Sequence, residues 1–244
     1  MELFGITDIG KVRRQNQDVF ETYLDEAGRF AIALVCDGMG GAKAGNVASA
    51  LAAETFMKYL NERLDDMAGL SSAADRIAEA ANAANRAVYE KSVSDYNCAG
   101  MGTTLTALVS TNEGEAVANI GDSRAYHITR SLVKQITTDH TVVEDMVARG
   151  DITRAQARRH PKRNLITRAL GTVPDEDPDI FFLTLKSGEH ILLCSDGLSN
   201  IVMESEVLYE LQKSDGVRES SMKLLDMALS RGAPDNVTAV LFKK

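Results

Sequence analysis

Two kinds of apolar pattern divide the chain. Leu3–Thr7, Val19–Tyr23 and Phe30–Cys36 are short runs bounded by polar or glycine positions, which predicts strands. From about Gly45 to Asp66 the spacing changes. Ala48, Leu51, Ala52, Thr55, Phe56, Tyr59 and Leu60 recur three and four apart, as on one buried face of a helix. After a turn at Gly69, Ser71 is the expected N-cap of a second helix, whose inner stripe is Ile77, Ala80, Ala81, Ala84 and Val88. Strand-like runs return at Thr103–Ser110, Glu115–Ile120, Ser123–Thr129 and Leu132–Ile136, predicted as an antiparallel meander with a turn at Asn112-Glu113-Gly114. Residues 137–179 are polar and basic, with two short helical pieces, and are expected to form a flap running over the surface. Strands follow at Ile180–Leu185 and His190–Cys194, helices at Glu204–Gln212 and Val217–Ser230, and a last strand at Val237–Phe242. Strands and helices come in blocks rather than alternating. That predicts an α+β fold of two antiparallel sheets flanked by helices, in a single domain spanning residues 1–244.

Two of these apolar runs end abruptly in Asp-Gly. Phe30–Cys36 meets Asp37-Gly38-Met39-Gly40-Gly41, and Ile191–Ser195 meets Asp196-Gly197-Leu198-Ser199-Asn200. A carboxylate at the mouth of a buried strand is costly unless a cation meets it. Glycine directly after it lets the backbone approach a ligand closely. Two further carboxylates precede strands: Asp18 in Asn16-Gln17-Asp18, and Asp235 in Asp235-Asn236. If one pair ends strands and the other begins them, antiparallel pairing brings all four to one edge of the fold. Oxygen-only ligands there suit Mg2+ or Mn2+ rather than zinc.

Bulk properties narrow the classes. The 244 residues can bury a full core without staples. With 27 basic and 35 acidic residues the net charge is −8, against a dedicated nucleic-acid binder. Three scattered cysteines form no CxxC pair; Cys36 and Cys194 read as small buried hydrophobes. The first residues lack the basic-then-apolar order of a signal peptide. No apolar stretch approaches the roughly 20 residues of a membrane span. The expectation is a cytoplasmic monomer with no membrane contact.

Beyond this, the chain resembles the metal-dependent Ser/Thr protein phosphatases of the PP2C (PPM) family in their compact bacterial form. The resemblance rests on Asp8-x-Gly10-x-x-Arg13-x-x-Asn16-Gln17-Asp18, Asp37-Gly38-Met39-Gly40-Gly41, Gly102-Thr103-Thr104, Gly121-Asp122-Ser123-Arg124, Ser195-Asp196-Gly197-Leu198 and Asp235-Asn236, in the family's order over nearly the whole chain. It implies a sandwich of two sheets between helix pairs. Asp37 would bridge two Mn2+ or Mg2+ ions, with the Gly38 carbonyl as a further ligand. Asp18 would act mainly through bound water, Asp196 and Asp235 would complete the other ion's shell, and Asp122 with Asp196 would hold a third, weaker ion. Arg13 matches the arginine that grips the substrate phosphate. Met39 stands where eukaryotic relatives carry a histidine proposed as general acid, and Asn200 stands where some relatives have Asp, which weakens the third-ion site.

The chemistry agrees. Phosphate monoesters hydrolyse very slowly unaided. Two cations about 4 Å apart can ionise a bridging water for in-line attack, and a guanidinium clasps two phosphate oxygens. Taken singly, Asp18, Asp122 and Asp235 also read as turn carboxylates, Arg13 as a solvated charge, and His140 and His160 as surface histidines. The acidic run 175–179 reads as a solvated turn, since Ile180 and Lys186 stand where a calcium loop needs Gly and Glu. No Cys-x5-Arg, Gly-x-Ser-x-Gly or Walker pattern is present. Two rivals remain: a non-catalytic phosphoprotein-binding relative, and a phosphatase dedicated to an anti-sigma antagonist. The absence of an attached sensor domain favours a general phosphatase that opposes a Ser/Thr kinase.

Overall fold

The computed structural model describes residues 1–67 and 69–244, the side chains at 41–43 excepted. Among the described residues eleven strands form two antiparallel sheets. One has the order β1 (Glu2–Asp8), β11 (Val237–Lys243), β10 (His190–Cys194), β7 (Arg124–Ile128), β8 (Val133–Gln135). The other runs β2 (Asp18–Leu24), β3 (Ala31–Met39), β5 (Leu105–Ser110), β6 (Glu115–Ile120), β9 (Asp179–Leu183), with the two-residue β4 (Gly102–Thr103) paired to the end of β3.

The unbroken apolar runs follow from burial of both sheet faces. Along β3, Ala31, Ala33 and Val35 face the other sheet, where they meet Leu193, Val240 and Phe242. The intervening Ile32, Leu34 and Cys36 face α1 (Gly41–Asn61) and α2 (Leu70–Ser94), packing with Phe56, Leu60 and Ile77. On the opposite side α6 (Glu204–Lys213) and α7 (Val217–Ser230) cover the first sheet through Val207, Leu224 and Ala228 against Leu192, Ala239 and Leu241. The layer order is therefore helices, sheet, sheet, helices. Cys36, Cys98 and Cys194 are all buried and unpaired. No helix among the described residues is long and apolar enough to cross a membrane.

Three local expectations need correction. The predicted meander divides between the sheets: β5 and β6 lie in one, β7 and β8 in the other, and Gly121-Asp122-Ser123 makes the crossing. Gly121 adopts φ +104, and a side chain there would strike Thr104. The second helix begins at Leu70 without Ser71 as its cap; Ser72 Oγ bonds the Gly69 backbone instead. Strand β3 does not stop at Cys36 but carries Asp37, Gly38 and Met39, because β4 supplies a partner there. The flap, between β8 and β9, holds α3 (Val142–Ala148) and α4 (Arg154–Ala157).

Candidate active site

Antiparallel register places Asp18, the first residue of β2, directly opposite Asp37 near the end of β3. Asp196 follows β10 as the first residue of the short helix α5 (Asp196–Ser199), and Asp235 sits two residues before β11, which pairs with β10. Asp122 occupies the turn where the chain changes sheets. Asp37, Gly38, Asp122, Asp196 and Asp235 all line one open cavity of about 780 Å³, together with Arg13, Arg14, Met39 and, from the flap, Asn164 and Ile166.

Close backbone approach brings these segments together. A Cβ at Gly38 would lie 2.1 Å from the Gly45 carbonyl oxygen, and one at Gly197 would lie 1.9 Å from that of Asn236, so neither position tolerates a side chain. The Asp37 backbone is pinned on both sides. Its N–H donates to Thr104 Oγ1 at 2.9 Å, and its carbonyl accepts from the Thr104 N–H at 2.9 Å and from Thr103 Oγ1 at 3.0 Å. Thr104 Oγ1 also meets Ser123 Oγ at 2.8 Å, tying the Gly-Thr-Thr and Gly-Asp-Ser-Arg segments together. Asn236 is buried and stitches the other wall: its Oδ1 accepts from Gln17 N–H at 2.9 Å, while Nδ2 donates to the Ile9 and Gln15 carbonyls. Asn236 is thus a structural strut.

Asp18 is 5 % exposed. Its Oδ2 accepts from Ser195 Oγ and Thr238 Oγ1, both at 2.7 Å, while buried Oδ1 has no partner. Such an orphaned acceptor fits an ion or an ion's water shell. Asp196 Oδ2 accepts from Asn200 Nδ2 at 3.1 Å, so the residue in place of a carboxylate offers a neutral donor. Arg13 Nη2 donates to Asp235 Oδ2 at 2.6 Å, and its side chain remains half exposed.

Burial and mutual repulsion dominate the electrostatics. Burial lifts Asp18 to about 6 against the hydrogen bonds from Thr238 and Ser195. Burial, then the Asp235 charge, lifts Asp196 to about 6. Burial, then Asp196, lifts Asp122 to about 7. Asp37 is raised well above the carboxylate range by burial and by the charges of Asp18, Asp196, Asp122 and Asp235. The site is therefore short of positive charge, and an all-oxygen donor set with that deficit fits hard divalent cations. No three acidic, histidine or cysteine side chains among the described residues close around one point as a finished cage.

These shifts give a pH dependence with a definite sign. A carboxyl whose folded pKa is raised contributes stability below its ordinary pKa, near 4, and that contribution is lost as pH rises through 6 to 7. Cations that bind the ionised groups reverse the loss. The melting-temperature gap between Mn2+-loaded and EDTA-treated protein should therefore widen as pH rises from about 5 to about 7.5. A gap that stays constant or narrows in thermal scans would contradict this charge balance.

Sequence reasoning missed Asp139 and His140. Arg124 grips Asp139 with Nε and Nη2, at 2.9 and 2.6 Å. His140 is buried, not a surface histidine, and it contacts the Gly121 backbone. The available signal was a dense polar run, Thr137–Thr141, directly after an apolar strand. The acidic run 175–179 is likewise not a free turn: Glu176 and Asp179 both pair with Arg168.

Residues 11–241 match the family model of protein phosphatase 2C. The chain belongs to the protein phosphatase 2C family. It is 32 % identical over 244 residues to the serine/threonine phosphatase stp of Listeria monocytogenes, covering 98 % of this chain and 94 % of that protein. Its structure is similar to that of serine/threonine phosphatase Stp1 from Staphylococcus aureus, with TM-score 0.90 and 32 % identity over 100 % of this chain and 94 % of the other. It is also similar to the catalytic domain of the phosphatase PstP in complex with two manganese ions, with TM-score 0.83 and 35 % identity, covering 98 % and 96 % of the two chains. The family membership makes the chain a hydrolase acting on phosphoproteins.

Proposed function

We infer that the chain is a metal-dependent protein phosphatase that hydrolyses phosphoserine and phosphothreonine and opposes a Ser/Thr kinase. The carrying observation is the convergence of Asp37, Asp122, Asp196 and Asp235 with Arg13 on one cavity, with Asp18 paired across from Asp37. Asp37 and the Gly38 carbonyl, with Asp18, Asp196 and Asp235, would hold two Mn2+ or Mg2+ ions, the number of manganese ions in complex with the similar PstP domain. Asp122 and Asp196 would hold a third, weaker one. When bound, such ions supply Lewis-acid charge to phosphate oxygens and ionise a water for in-line attack.

The protein's own groups do the rest. Ser195 and Thr238 saturate one oxygen of Asp18 and so fix the direction in which the other points. Thr103 and Thr104 hold the Asp37 backbone still, which keeps its carboxylate from turning away under load. Asn164 and Ile166 bring the flap to the cavity rim, where a phosphoprotein must enter. Met39 lines the same wall and carries no proton to give, so the leaving alkoxide must take its proton from solvent or from another group.

Arg13 Nη2 is bonded to Asp235, and the guanidinium, with five N–H donors, still presents an exposed face to an incoming phosphate. Arg13→Ala should raise KM with little change in kcat, because the fork binds phosphate in ground and transition states alike. Arg13→Lys should recover only part of the loss, since an ammonium cannot form two parallel hydrogen bonds. Unchanged steady-state kinetics in Arg13→Ala would return this residue to a solvated charge.

The function itself is tested by phosphate release from p-nitrophenyl phosphate and from a phosphothreonine peptide, each with Mn2+ and with EDTA. Turnover with Mn2+ and none with EDTA is expected. A protein that binds the phosphopeptide but releases no phosphate would be a recognition module instead.

A further inference from the structure

His140 stands at the junction between the sheets and the flap, and each of its polar groups is engaged. Its backbone N–H donates to the Gly121 carbonyl at 2.9 Å, and the Gly121 N–H donates to its Nδ1 at 3.1 Å. The histidine thus closes a two-bond ring on the residue directly before Asp122. Because Nδ1 accepts, the ring proton belongs on Nε2, which faces Asp179 Oδ2 at 3.1 Å; Arg168 Nη1 also lies 2.9 Å from Nε2, but a guanidinium can only donate, so the Nε2 proton is directed to Asp179 and not to Arg168. The other oxygen of Asp179 accepts from Arg168 Nη1 at 2.8 Å, and Arg168 also pairs with Glu176 at 2.7 Å. The His140 carbonyl accepts from Thr167 N–H at 2.8 Å, so the returning segment of the flap is fixed to the same residue.

Resting on the reading of Asp122 as holder of the weaker ion, we propose that His140 is a positioning residue: Nδ1 sets the Gly121–Asp122 turn, and Asp179 at the flap base holds the ring in the tautomer that makes this possible. With the proton on Nδ1, the ring would point a donor at the Gly121 N–H and push the turn away. The Asp122 carboxylate and the base of the flap are then set by one imidazole. Substrate contacts that shift the flap are felt at the third-ion site, although His140 itself touches neither substrate nor ion.

The test uses side chains that mimic one ring nitrogen at a time. His140→Ala should raise the Mn2+ concentration for half-maximal phosphopeptide turnover about tenfold, the scale of one lost hydrogen bond. The two tight ions should still titrate calorimetrically. His140→Asn, whose Oδ1 falls near the Nδ1 position, should recover most of this, whereas His140→Gln, which reaches only toward Nε2, should not. Asp179→Ala should move the metal dependence in the same direction, and should add nothing in the His140→Ala background.

Several results overturn the proposal: unmoved metal dependence in His140→Ala, loss of the tight ions, no difference between Asn and Gln, or additive effects with Asp179→Ala. Should the His140 variants fail to fold, Asp179→Ala decides alone, because its site is partly exposed. An unmoved metal dependence there overturns the proposal too. Wild-type turnover of p-nitrophenyl phosphate separates the two levels. Its absence would sink the phosphatase reading, and its presence with unmoved variants would sink only the role of His140.

Discussion

Asp37→Asn is expected to lower turnover by about a hundredfold or more without unfolding the protein. Asp37 has the other four site carboxylates, Asp18, Asp196, Asp122 and Asp235, all raising its pKa, so it lies at the centre of the negative field. On the proposed two-ion reading, halving the charge-bearing oxygens at that centre should weaken the hold on both core ions together. The backbone at this position is fixed by Thr103 and Thr104, not by the carboxylate, so an amide of equal size leaves the strand in place. In the metal-free protein the substitution removes repulsion. EDTA-treated Asp37→Asn should therefore melt at or above the EDTA-treated wild type at neutral pH, and gain less from added Mn2+. The checks are kcat at saturating Mn2+ and paired thermal scans. Retention of a tenth of wild-type turnover would refute the bridging role, and a lower metal-free melting point would refute the charge argument.

The sandwich and the site were legible to different depths. Strands β3 and β10 announced themselves as apolar runs because both of their faces are buried, and the Asp-Gly pair that follows each run marks where a carboxylate reaches the cavity. The helices were equally plain, since their stripes obey a spacing that only a helix satisfies. The division of β6 and β7 between sheets was hidden, because a tight turn within one sheet and a tight crossing between sheets use the same Gly, Asp and Ser residues. The carboxylates could be named from sequence, but their supports could not. Ser195, Thr238, Thr104 and Asn236 are ordinary polar residues whose partners lie far along the chain: Thr238 meets Asp18 across 220 positions and Asn236 meets Gln17 across 219. His140 was misread for the same reason. A histidine in a polar stretch suggests solvent, and only the folded chain shows that the stretch runs beneath the Asp122 turn.

On the proposed reading Asp122 holds only the third, weaker ion, so its removal should separate that ion from the core pair in solution. Asp122→Ala should fold, because the turn is held by the bonds of the Gly121 backbone to the His140 N–H and ring Nδ1 and by the Arg124–Asp139 pair, none of which uses the Asp122 carboxylate. It should bind two Mn2+ per chain as the wild type does and lose about nine-tenths or more of its phosphopeptide turnover. An ion held by few protein ligands is weak, and the effect should appear at millimolar metal. Asn200 sharpens the test. It donates to Asp196 where a carboxylate would instead add charge, so Asn200→Asp should lower the Mn2+ concentration needed for full turnover. It should also make the metal-free protein less stable at neutral pH by adding one more repelling group. Full activity in Asp122→Ala would leave Asp122 as a turn residue. Loss of the two tight ions in a calorimetric titration would move it into the core site, and an unchanged Mn2+ requirement in Asn200→Asp would remove Asp196 from the third ion's shell.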